Sequence, residues 1–137
     1  MTKRIIFIAL LAITVLVLGT SVAIAQEDSI VARIQERGEL ICGVNAALPG
    51  FGTQNDAGDF EGFDIDICKA VAAAVLGDAT AIAFRPLDAA QRPTALASGE
   101  VDMISRNTTW TLSRDTEWGA TFGPTTFYDG QGVMVKV

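Results

Sequence analysis

Residues 105–115 read SRNTTWTLSRD and crowd hydrogen-bonding side chains into one short stretch. Hydroxyls come from Ser105, Thr108, Thr109, Thr111 and Ser113, an amide from Asn107, and guanidiniums from Arg106 and Arg114. An apolar run, residues 101–104, precedes them, so the stretch sits at the carboxyl end of an expected strand. Open α/β sheets bind ligands beyond that end of their strands. Thr111 is placed to cap a short helix through Glu117, which puts Arg114 one turn in. A guanidinium there presents a planar fork that matches a carboxylate. Helix N–H groups add donors for an anion. The chemistry this composition supports is non-covalent capture of a small carboxylate. Two plainer uses of the same residues stand beside it: Arg114 pairing with Asp115 or Glu117, and threonines that only cap.

The rest of the composition removes other chemistries. There is no histidine among the 137 residues, which excludes Ser-His-Asp and Cys-His catalysis and the usual zinc sites. Asp56, Asp59, Asp64 and Asp66 lack the D-x-D-x-D-G spacing of a calcium loop, so neither metal nor cofactor is expected. Asp64 is expected to cap a helix. The formal charge of −6 argues against nucleic acid, whose phosphates need a basic surface. Cys42 and Cys68 form an even pair in the exported part, and an oxidising compartment favours a disulfide between them over two buried free thiols.

Residues 1–25 have the order of a secretory signal peptide. Lys3 and Arg4 form the basic region, residues 5–18 the apolar run, and Ala23-Ile24-Ala25 the cleavage site. The run is short for a membrane span, which takes roughly 20 residues. Cleavage before Gln26 removes two of the 10 basic residues, leaving 8 against 16 acidic ones, a net −8. A periplasmic location is expected.

Elements must then position the 105–115 stretch. A helix is expected from Ile30 to Arg37 with Gly38 as its stop, then a buried strand over Leu40–Val44. Pro49, Gly50 and Gly52 mark a loop. Residues 60–63 form a short strand, 65–76 a helix ended by Gly77, and 81–84 a second buried strand. Asp88 caps a further helix to Ser98, tolerable only if Pro93 lies in its first turn. Residues 101–105, 125–128 and 132–137 complete the strand-like pieces. Alternating strands and helices predict an α/β domain with a mostly parallel sheet. Val137 falls inside a strand-like run, so the domain is expected to be incomplete.

Four stretches carry a resemblance: GFDIDICKAVAAAV at 62–75, SGEVD at 98–102, SRNTTWTLSRDTEWG at 105–119 and YDGQG at 128–132. Together they resemble the periplasmic amino-acid-binding proteins of ABC transporters, solute-binding family 3, and within it the general L-amino-acid binders. The likeness extends from about Ile30 to Val135. It implies a periplasmic-binding-protein-like fold in which two lobes close on the ligand, with residues 26–137 the N-terminal portion of lobe 1. It implies no enzyme activity, a monomer, and two partners: a free amino acid and an inner-membrane permease.

The same resemblance places the α-carboxylate clamp on Arg114 and its helping hydroxyl on Thr109. The backbone carbonyl that meets the ligand ammonium falls on Asn107, with Arg106 beside it. The position after the first strand falls on Asn45, and the aromatic cover falls on Leu48, with Phe51 nearby. Leucine cannot stack as an aromatic does, and neutral Asn45 removes a charge for cationic ligands. Both departures imply broad specificity, although Leu48 packing under its loop is an equal reading. Weak or absent amino-acid binding is expected from residues 26–137 alone. A dehydratase on the same fold and a receptor's sensory domain are the rival readings. No acidic side chain between Ser105 and Arg114 offers a general acid for the first, and the second needs a downstream membrane segment.

Overall fold

The computed structural model describes residues 29–136. The targeting segment expected at residues 1–25 lies outside the described residues. Three parallel strands form the main sheet: β1 (Leu40–Val44) at the centre, flanked by β5 (Ile82–Pro86) and β6 (Met103–Ile104). Leu40 lies opposite Ile82, and Cys42 opposite both Phe84 and Met103. A small antiparallel sheet holds β2 (Ala47–Leu48), β3 (Gly52–Gln54) and β4 (Phe60–Glu61). Among the described residues four helices complete the order: α1 (Ile30–Arg37), α2 (Phe63–Leu76), α3 (Gln91–Ala97) and α4 (Leu112–Glu117).

Period-two alternation in β1 explains the layering. Leu40, Cys42 and Val44 point to one face, where Ile34, Ile65, Cys68 and Ala72 of α1 and α2 cover them. All seven are buried, and the fully buried Ile65 alone contributes about 1.5–3 kcal/mol. Ile41 and Gly43 face the other way, towards Leu87, Ala95 and Val101. A Cβ on Gly43 would meet the Leu87 side chain at 2.7 Å, so glycine lets that layer close on the strand. Cys42 and Cys68 are bonded, tying β1 to α2 across a Cα–Cα distance of 6.3 Å.

The ends of the elements depart from expectation in informative ways. Asp64 does not cap α2. The helix begins at Phe63 after Gly62, and loop carbonyls satisfy its first donors: Gly50 takes Phe63 N–H at 3.0 Å and Phe51 takes Asp64 N–H at 2.9 Å. Only glycine fits the entry, because Gly62 has φ 123° and a Cβ there would sit 2.5 Å from the Phe51 carbonyl. Asp88 does serve α3. Its carboxylate accepts from the Ala90 and Gln91 amides at 2.8 and 2.9 Å, and the Gln91 side chain accepts from Asp88 N–H at 2.8 Å. Pro93 is the third residue of that helix, inside the first turn, where its missing donor costs nothing.

Strand 60–63 is cut to Phe60–Glu61 because the chain turns at Gly62 into α2. Strand 81–84 moves to Ile82–Pro86. Strand 101–105 keeps only Met103–Ile104 as ladder. Yet Asp102 N–H donates to Ile41 and Ser105 N–H to Gly43, so the parallel alignment runs to Ser105. Residues 125–128 and 132–136 form no strand among the described residues. Within SGEVD, the Asp102 carboxylate pairs with Arg37 and accepts from the Ile41 amide at 2.8 Å, pinning α1 to the sheet.

Candidate functional site

The 105–111 loop leaves the carboxyl end of β6 and enters α4. Thr111 has an extended backbone and caps α4, its hydroxyl accepting from Arg114 N–H at 3.4 Å. Arg114 therefore stands one turn into the helix, half-buried. Its guanidinium turns back on the loop and donates to the Thr109 carbonyl at 2.6 Å. The Trp118 ring lies 5.5 Å from the guanidinium carbon, within cation–π range. No acid pairs with Arg114 among the described residues: Arg37–Asp102 and Lys69–Asp66 are the ion pairs there. One end of the fork is thus held and the side chain lies along the loop.

A second group gathers on the strand side of the loop. The Asn107 side-chain oxygen accepts from Asn45 at 3.3 Å and from both Nε and Nη2 of Arg106 at 3.3 and 3.2 Å. Arg106 also donates through Nη1 to the Leu87 carbonyl. Asn45 holds its own turn by accepting from Ala47 N–H at 3.0 Å. The structure thus joins Asn45, Arg106 and Asn107 in one network and Thr109 with Arg114 in another. Leu48 lies in β2, half-buried opposite Gly52. The Phe51 ring packs edge-on against Phe63 and Phe127, at 6.2 and 4.9 Å. Trp110 is exposed and stacks on Phe122, which also touches Trp118.

Two charged residues are buried where the sequence gives no expectation of it, Arg92 and Asp64. Arg92 of α3 is 6 % exposed and donates through Nη1 to the Asn107 carbonyl at 3.2 Å and the Thr108 hydroxyl at 3.0 Å. That carbonyl is the one the resemblance assigns to a ligand ammonium; its two lone pairs leave one position open beside Arg92. Burial, then Arg106 and Arg114, hold the Arg92 pKa below the usual arginine value, while Asp88 opposes them. Burial likewise lowers Arg106, against Asp64 and Asp88. Asp64 is 5 % exposed, and burial raises its pKa despite Arg106. The loop therefore lies in the field of three guanidiniums. The sequence does carry a trace of Arg92's burial: it falls three and four residues before Ala95 and Leu96, on the apolar stripe of α3.

The model of the bacterial extracellular solute-binding proteins, family 3, matches residues 40–137. The chain belongs to this family. It is 48% identical over 128 residues to the general L-amino acid-binding periplasmic protein AapJ of Rhizobium johnstonii, covering 93% of this chain and 37% of AapJ. It is 47% identical over 134 residues to the glutamate/glutamine/aspartate/asparagine-binding protein BztA of Rhodobacter capsulatus, covering 98% of this chain and 38% of that protein. Among solved structures it matches an ABC transporter periplasmic binding protein from Brucella ovis with glutathione bound. There the TM-score is 0.63 at 54% identity, covering 65% of this chain and 28% of the other. The fold is part of a periplasmic-binding-protein lobe. The chain thus spans under two fifths of the length of these curated relatives.

Proposed function

We propose that this chain belongs to the periplasmic solute-binding component of an amino-acid ABC transporter and supplies one face of its ligand cleft. Ligands would be free L-amino acids of broad side-chain type, handed to an inner-membrane permease by a monomeric carrier exported through residues 1–25. AapJ and BztA, whose names specify amino acids, support the substrate class. One structural observation carries the reading: Arg114 is held at the mouth of the sheet by the Thr109 carbonyl and the Trp118 face, with no acid neutralising it among the described residues.

In this role Arg114 takes the α-carboxylate with help from the Thr109 hydroxyl. The open lone pair of the Asn107 carbonyl takes the ammonium. Asn45 and Arg106 hold the Asn107 side chain, and Leu48 and Phe51 belong to the hairpin beside them. The ligand then binds by replacing water with fixed donors and acceptors, without covalent chemistry. Removing one side of a desolvated charge pair costs about 2–5 kcal/mol. Arg114→Ala in the intact protein is therefore expected to abolish amino-acid binding measured by titration calorimetry with L-glutamine, L-glutamate and L-leucine. Near-native affinity in that variant refutes the assignment.

A further inference from the structure

Arg92 performs a task that neither its position in α3 nor the family likeness assigns. It is a cation left only 6% exposed, and its two acceptors, the Asn107 carbonyl and the Thr108 hydroxyl, are neutral. No carboxylate pairs with it, and its Nε has no partner, among the described residues. Burying a guanidinium in this way is costly unless its hydrogen bonds are kept. Both of its bonds end on consecutive residues of the one loop that carries the proposed ligand contacts. Breaking them strands a buried charge, so the loop is held in the shape that satisfies Arg92.

We infer that Arg92 is a positioning residue for the ligand site: from behind the loop it fixes the Asn107 carbonyl and the Thr108 side chain, and so presents Thr109 and Arg114 to the ligand. This deepens the amino-acid reading above and rests on it for its effect on affinity. Nη1 is shared between the two acceptors. The Thr108 amide donates to the Arg106 carbonyl at 2.6 Å, closing the bend that the guanidinium braces. A lysine at this position keeps the charge but replaces the fork with a single point donor.

The test uses the intact protein and two readouts. Amide hydrogen exchange of the ligand-free protein compares Thr108 with Leu40, whose amide bonds the Ala81 carbonyl in the main sheet. Arg92→Met is expected to speed exchange at Thr108 by about tenfold to a hundredfold, the worth of a charged hydrogen bond, and to leave Leu40 unchanged. Arg92→Lys should fall between the two. Association with L-glutamine should weaken by about tenfold or more in Arg92→Met and recover in part with lysine. Wild-type exchange at Thr108, or equal acceleration at Leu40, overturns the proposal, as does unchanged affinity in a protein with a loosened loop. If Arg92→Met does not fold, Thr108→Val removes one acceptor and keeps the guanidinium; the lysine and valine variants must then both loosen Thr108, and no change in either overturns it. Should the unmodified protein bind no amino acid at all, the functional reading fails, while the exchange readout still decides the role of Arg92.

Discussion

Asp64 shows what a single side chain can conceal. From sequence it reads as a helix cap, because Asp before an apolar helix usually is one. The fold instead lets loop carbonyls meet the first helical N–H groups and turns the carboxyl inward, where one oxygen finds no partner among the described residues. Burial raises its pKa above the ordinary 3.8. The folded protein therefore holds this proton more tightly than the unfolded chain does. Asp64's contribution to stability is fully present below about pH 3.8 and is lost as the pH rises through the folded-state value. Thermal unfolding of wild type and Asp64→Asn between pH 3 and 7 is expected to show the wild type losing ground to the variant as the pH rises. A constant difference across that range rejects the assignment. Arg92 was equally hard to read, since burial of a cation depends on where a distant loop delivers acceptors. The Thr111 cap and the place of Arg114 one turn into α4 were legible, because a hydroxyl before a short polar helix is a local pattern.

Elements were legible where local chemistry and tertiary packing agree. Helix α1 with its glycine stop, strand β1, and α4 with its threonine cap all formed as their residues predict. The C-terminal strand-like pieces did not, because alternation creates a strand only when a neighbour supplies a ladder. Two cysteines likewise permit a bond without requiring one; adjacency of β1 and α2 decides it. The Cys42–Cys68 bridge spans 26 residues of sequence and both side chains are fully buried. Closing a loop of that size in the unfolded chain is worth about 3–4 kcal/mol in the chain-entropy account. Urea unfolding of the Cys42→Ala/Cys68→Ala protein should show a loss of that order relative to the oxidised form. An unchanged midpoint would mean that the bridge constrains the unfolded chain little.

On the scale of the whole molecule, residues 121–136 have no regular secondary structure, and aromatic rings attach them to the body. Phe127 is 54% exposed, yet its ring sits 4.9 Å from Phe51 and 6.2 Å from Phe63, both edge-on. Phe51 belongs to the hairpin and Phe63 opens α2, so one side chain joins the tail to two elements. Each such pair adds about 0.5–1.5 kcal/mol beyond its buried area. Phe127→Ala is therefore expected to raise amide exchange at residues 128–132 by about tenfold to a hundredfold. The thermal midpoint should fall by only about a few degrees, because the buried cores around β1 are untouched. Phe51→Ala should loosen the same residues, since its ring is half of the closest pair. The two substitutions share that contact, so the double variant should loosen the tail by less than the product of the single effects. Additive effects would mean that the rings act separately. A Phe51→Ala protein with an unchanged tail but weakened amino-acid binding would return Phe51 to the ligand cover that the family likeness assigns near Leu48.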